Sequence, residues 1–146
     1  MNRKEFAKNC GIGCMGLFIA PALLQGCAGT KYIDANIEGD EMVVPLTSFE
    51  IIKDNQTQYR RYIVVQNDTL EYPICVYRLS SGKYQALWMK CTHQGTELHV
   101  FGDKLQCPAH GSEFANTGAV QNGPAADPLR TFAIALSSIH LKISLK

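Results

Sequence analysis

The clearest hydrophobic pattern lies at the end of the chain, where Ile139, Leu141, Ile143 and Leu145 alternate with His140, Lys142, Ser144 and Lys146. A period of two puts the apolar row on one face of a β-strand and the polar row on the other. Shorter runs precede it. Residues 42–46 predict one strand, Asp54-Asn55-Gln56 a turn, and 59–66 (YRRYIVVQ) a strand rich in β-branched and aromatic residues. Residues 72–79 and 83–89 flank Ser80-Ser81-Gly82, and 98–101 and 104–106 flank Gly102-Asp103, so two hairpins are expected. No stretch beyond the first thirty residues shows a 3.6-residue period. The pattern predicts an all-β domain over 42–146, a small antiparallel sandwich or barrel, preceded by a polar, glycine-containing tether over 27–41.

The first residues have a different character. Arg3, Lys4 and Lys8 form a basic start, and from Gly11 to Leu24 the chain is uncharged and mostly apolar. This is the pattern of an export signal, expected over 1–26. Leu24-Gln25-Gly26-Cys27 resembles the lipobox of bacterial lipoproteins, which implies cleavage before Cys27 and lipid attachment to it. An uncleaved membrane anchor is the alternative, because residues 9–30 carry no charge and are long enough for one span. Asn2-Arg3-Lys4-Glu5-Phe6-Ala7-Lys8 also loosely resembles a twin-arginine export signal, with Lys4 in the second arginine's place and Ala7 in the usual leucine's. Either anchor predicts a bacterial cell-envelope protein, tethered to a membrane and facing away from the cytoplasm.

Composition narrows the class. The chain has 146 residues, 46% of them apolar, and a formal net charge of +1. Such apolar content argues against disorder, and the neutral balance predicts no nucleic-acid partner. From residue 27 onward there are 11 Lys and Arg against 12 Asp and Glu, so no net positive charge draws acidic partners to the domain.

Chemistry concentrates in two segments, Cys91-Thr92-His93-Gln94-Gly95-Thr96 and Cys107-Pro108-Ala109-His110-Gly111-Ser112. Each offers one thiolate and one imidazole, and the Gly102-Asp103 hairpin between them can fold one back on the other. Cys75, within an apolar run, is expected to fill the core, while His99 and His140 are expected to face solvent. Two cysteines and two histidines could hold a tetrahedral zinc ion. One of each per segment suits a two-iron cluster better, with Cys91 and Cys107 on one iron and His93 and His110 on the other.

The two segments resemble the C-x-H-x-G and C-P-x-H-G-S boxes of Rieske [2Fe-2S] proteins. Gly123-Pro124-Ala125 with Pro128-Leu129 is similar to the proline loop that covers the cluster in quinol-oxidising members. The resemblance implies a Rieske-type β fold with a two-loop cluster-binding subdomain. It also implies metal ligation by Cys91, His93, Cys107 and His110, with Gly95, Gly111, Ser112 and Pro124 around them. Replacing two thiolates by neutral imidazoles raises the formal charge of the oxidised core from about −2 to about 0, so the potential rises. Gly95 and Gly111 are expected to let the backbone approach the cluster and donate N–H groups to sulfur.

Three positions depart from the high-potential pattern. Many members join the boxes by a disulfide, but its positions here are Thr96 and Ala109. The tyrosine expected two residues after Ser112 is Phe114. A potential within the Rieske range of roughly −150 to +300 mV, below that of the disulfide-bearing quinol oxidisers, is therefore expected. The resemblance implies a membrane-anchored electron carrier, a component of an oxidoreductase rather than an enzyme by itself. It would be similar to the Rieske subunits of cytochrome bc-type or arsenite oxidase complexes, with donor and acceptor proteins or a quinol-oxidising complex as partners. A ferredoxin of an aromatic-ring dioxygenase and a non-redox zinc domain are the alternatives.

Overall fold

The computed structural model describes residues 29–80 and 82–146. The expected export signal and Cys27 lie outside the described residues.

Fifteen short strands follow one another: β1 (Tyr32–Asp34), β2 (Asn36–Glu38), β3 (Glu41–Pro45), β4 (Glu50–Lys53), β5 (Gln56–Tyr59), β6 (Tyr62–Gln66), β7 (Ile74–Ser80) and β8 (Lys83–Trp88), then β9 (His99–Phe101), β10 (Lys104–Gln106), β11 (Glu113–Ala115), β12 (Val120–Asn122), β13 (Thr131–Phe132), β14 (Ile134–Leu136) and β15 (His140–Ser144). A 3-10 turn, Leu46–Phe49, links β3 to β4. The strands form a five-stranded sheet β1-β6-β7-β8-β13, a four-stranded sheet β14-β15-β3-β2, a second four-stranded sheet β12-β11-β10-β9, and the separate hairpin β4-β5. Among the described residues only β1 and β6 pair in parallel. The all-β expectation holds.

The five-stranded sheet is covered on both faces, which explains why its strands read as apolar runs rather than as alternations. Successive side chains point to opposite faces. Ile63, Val65, Ile74, Val76 and Ala86 therefore join Met42, Val44, Leu141 and Ile143 in one core, shared with the β14-β15-β3-β2 sheet. Their neighbours Val64, Cys75, Tyr77 and Leu87 join Leu98, Leu105 and Phe114 in a second core, under the β12-β11-β10-β9 sheet. Cys75 is fully buried there, as expected. The second core also takes in Cys91 and Cys107, so the candidate ligands stand on the same packing that fixes the central sheet.

Two expectations need correction. The stretch 27–41 is not a tether throughout: β1 pairs with β6 through Tyr32↔Val64, and β2 pairs with β3. Its polar composition misleads because both are edge strands with only one side chain each, Ile33 and Ile37, turned to the core. The run 59–66 is not one strand either. It breaks at Arg60 and Arg61, where the chain leaves the β4-β5 hairpin, and the Arg60 N–H donates to the Phe49 carbonyl at 2.7 Å.

Candidate metal centre

β8 runs out of the central sheet directly into the first box, and the β9-β10 hairpin brings the second box beside it. The two boxes close in the same way. Cys91 N–H donates to the Thr96 carbonyl at 2.9 Å, and Gly95 N–H donates to the Cys91 carbonyl at 2.8 Å. In the second box Cys107 N–H donates to the Ser112 carbonyl at 2.8 Å, and Gly111 N–H donates to the Cys107 carbonyl at 3.0 Å. Both loops turn back through a left-handed glycine, Gly95 at φ 75° and Gly111 at φ 80°, a conformation that side chains with a Cβ resist. That backbone turn is the visible role of both residues.

The four donors fall into two pairs. Cys91 and Cys107 are each 2% exposed and lie within hydrogen-bond reach of one another. His93 and His110 are exposed at the rim, their rings perpendicular with centroids 5.1 Å apart. Burial pushes the Cys107 thiol up, but hydrogen bonds from the Ala109 and His110 backbone, and then from Cys91 and Thr96, outweigh it and leave the thiol more acidic than usual. Thr96, at one of the two expected disulfide positions, thus contacts Cys107 as a hydroxyl. Among the described residues no three His, Cys, Asp or Glu side chains converge on one point that could hold a single ion. A tetrahedral zinc site needs four donors around one centre. Two thiols inside and two imidazoles outside fit a group with a metal at each end.

The proline loop ties both boxes together. Ala125 N–H donates to the Ser112 hydroxyl oxygen at 3.0 Å, and the Thr92 hydroxyl donates to the Asp127 carbonyl at 2.7 Å. Ser112 is completely buried, and its own proton has no protein acceptor among the described residues. Pro124 follows a cis peptide bond after Gly123 and is exposed. It has no N–H to give, so Ala125 supplies the donor of this loop, and the Asp127 carbonyl is its acceptor. On the other side of the first box, the Tyr72 hydroxyl donates to the Gly95 carbonyl, and the Tyr72 ring packs edge-on against Trp88. These two rings, with Lys90 and Arg130, line a cavity of about 580 Å³ that opens beside His93. Thr92 and Tyr72 carried no signal in the sequence, because their partners are backbone carbonyls distant in the chain. His99 is exposed and His140 half-buried, both in strands away from the boxes.

The family model for the Rieske [2Fe-2S] domain matches residues 48–133, more than half of the chain and both boxes. The chain belongs to the Rieske [2Fe-2S] family. It carries one Rieske cluster, and the zinc reading is set aside. The cytochrome b6-f complex iron-sulfur subunit 3 of Nostoc sp. strain PCC 7120 is 38% identical over 56 residues, covering 37% of this chain and 32% of that protein. The cytochrome b6-f complex iron-sulfur subunit of Cyanothece sp. strain PCC 7425 is 39% identical over 66 residues, covering 44% of this chain and 31% of its own. This Rieske chain thus spans about a third of the length of the curated relatives it matches. The crystal structure of the plasma membrane Rieske protein of Synechocystis PCC 6803 superposes with a TM-score of 0.51 at 32% identity, over 57% of this chain and 86% of that one.

Proposed function

We propose that this Rieske protein is a membrane-anchored electron carrier outside the cytoplasm, held by lipid on Cys27, and serves as the redox subunit of a membrane oxidoreductase. In this reading Cys91 and Cys107 hold the inner iron and His93 and His110 the outer one. When bound, the cluster takes up and gives back one electron at a time. The chain's own residues decide where that exchange happens. Cys91, Cys107, Ser112 and Phe114 exclude water at the inner end, and His93 and His110 present the outer end to a partner. The observation that carries the reading is this contrast between buried thiols and exposed, adjacent imidazoles. The names of the relatives support a quinol-oxidising complex as the partner, and Leu24-Gln25-Gly26-Cys27 supports the anchor.

Two measurements test it. Labelled palmitate is expected in the full chain and absent from Cys27→Ser. In membranes holding the chain, adding a quinol is expected to bring up the reduced-cluster resonance. Reduction only by NADH through a soluble reductase would favour a ferredoxin of a dioxygenase instead.

A further inference from the structure

Four of the domain's basic residues gather at the end of the central sheet opposite the boxes. Lys31 leads into β1, Arg60 and Arg61 lead into β6, and Arg78 lies on β7. The pairing of these three strands brings them together: Val64 N–H donates to the Lys31 carbonyl at 2.9 Å, and Arg78 N–H donates to the Arg61 carbonyl at 2.8 Å. Lys31, Arg60 and Arg61 line a cavity of about 250 Å³, together with Ile51, Tyr59 and Tyr62. The Arg78 guanidinium stacks on its wall, 4.5 Å from the Tyr59 ring centroid.

Among the described residues none of these four cations has a carboxylate within 4.0 Å, although Glu50 faces Tyr59 across the hairpin. The Nε atoms of Arg60 and Arg78 are buried and have no hydrogen-bond partner among the described residues. Buried guanidinium donors are ordinarily satisfied, and because Arg60 lines the cavity, an oxyanion bound there would offer acceptor oxygens to its guanidinium.

We propose that this cavity binds the phosphate of an anionic lipid headgroup and seats the domain on its membrane. Three observations favour a lipid over other phosphates. Gly29 also lines the cavity, and it lies two residues after Cys27, a reach of about 7 Å at most. Ile52, 78% exposed, and Tyr59, 50% exposed, stand on the adjoining hairpin, the residue types that settle into a bilayer interface. The cavity also sits beside Arg78, paired with Tyr84, whereas the boxes follow Trp88, paired with Ile74. Four residues of strand, about 13 Å, separate the two levels, so seating one end holds the cluster end off the surface. The inference rests on the anchored reading only in that a membrane lies within reach.

The test uses the full chain carrying Cys27→Ser, purified with its cluster. It is mixed with vesicles of phosphatidylcholine alone or with one third phosphatidylglycerol. The leader is the same in every sample, so the signal is the change on adding Lys31→Gln, Arg60→Gln and Arg61→Gln. Each basic residue near an anionic surface contributes about fivefold, so affinity for the phosphatidylglycerol vesicles is expected to fall about 100-fold. Affinity for phosphatidylcholine vesicles should stay unchanged, as should the reduced-cluster resonance. Lys31→Gln with Arg61→Gln, both at exposed positions, replaces the triple variant if Arg60→Gln loses the cluster, with about 25-fold expected. Unchanged affinity for phosphatidylglycerol vesicles overturns the proposal, and so does an equal fall on both vesicle types. Palmitate labelling of the unaltered chain is scored separately. Its absence would remove the Cys27 anchor and leave the vesicle result standing.

Discussion

The hydroxyl oxygen of Ser112 accepts the backbone N–H of Ala125 at 3.0 Å, in a site from which water is excluded. That contact uses the oxygen and leaves the proton free. A hydroxyl proton aimed at the cluster's sulfur stabilises the reduced, more negative state. Ser112→Ala is therefore expected to lower the reduction potential by about 60 mV, equivalent to about tenfold in the reduction equilibrium. Phe114 is completely buried in the core that also holds both cysteines, and Phe114→Tyr adds a donor to it, so the potential should rise. Protein-film voltammetry measures both, and no shift in either variant would remove these hydroxyls from the account.

Thr92 and Asp127 form the second tie between the proline loop and the boxes. Where many Rieske proteins have a disulfide, this chain adds to the direct contacts of Cys107 with Cys91 and Thr96 a third loop and two neutral hydrogen bonds. Thr92→Val removes one of them, worth about 1 kcal/mol. Hydrogen exchange should report it: the Leu129 amide, bonded to the Gly118 carbonyl at 2.9 Å, should lose about fivefold in protection. Amides of the β7-β8 pair should not change. Loss spread evenly over both regions would mean that the tie is not local.

Gly111 is left-handed at φ 80°, and no protein atom lies within 4 Å of where a Cβ would stand, so Gly111→Ala costs backbone strain without a clash against the protein. About 1–2 kcal/mol of stability should be lost, with faster release of iron from the reduced protein. Thermal melts of the holoprotein and timed iron release check it.

Cys75 offers a pH test. Burial pushes its thiol far above the ordinary value of 9.0, with a small opposing effect from the Tyr77 hydroxyl. Burial likewise pushes Tyr77 up, reinforced by Cys75. A folded-state value raised above the unfolded one means that folding favours the neutral form. The stability this contributes is complete below the unfolded thiol value and shrinks as pH rises through and beyond it. Denaturant midpoints should therefore fall from about pH 8.5 upward. Cys75→Ala should flatten part of that slope, and Cys75 should resist alkylation in the native protein.

The candidate donors stand out in the sequence because each box packs a cysteine, a histidine, a glycine and a turn into six residues. Local spacing singles out Cys91, His93, Cys107 and His110 as donors, and the structure places the two cysteines together inside and the two histidines together at the rim. The last strand was legible in its middle, where Leu141 and Ile143 are buried, but its alternation overstated the burial of Ile139, which is 63% exposed. β1 and β2 leave little trace in the sequence because edge strands need few apolar residues, and the partner of β1 lies some thirty residues along the chain. The same distance hid the basic cavity. A near-zero net charge says nothing of where charges lie, and Lys31, Arg61 and Arg78 meet only through the β1-β6-β7 pairing.

The central claim is that two thiols and two imidazoles of this chain hold one two-iron cluster, and pulsed electron paramagnetic resonance tests it most directly. Purified without oxygen and reduced by one electron, the protein should contain two iron and two sulfide per chain and show couplings from two imidazole nitrogens. His93→Ala and His110→Ala should each abolish that pattern. A colourless protein with zinc and no reduced-state signal, or a cluster whose spectrum survives both substitutions, would contradict the account.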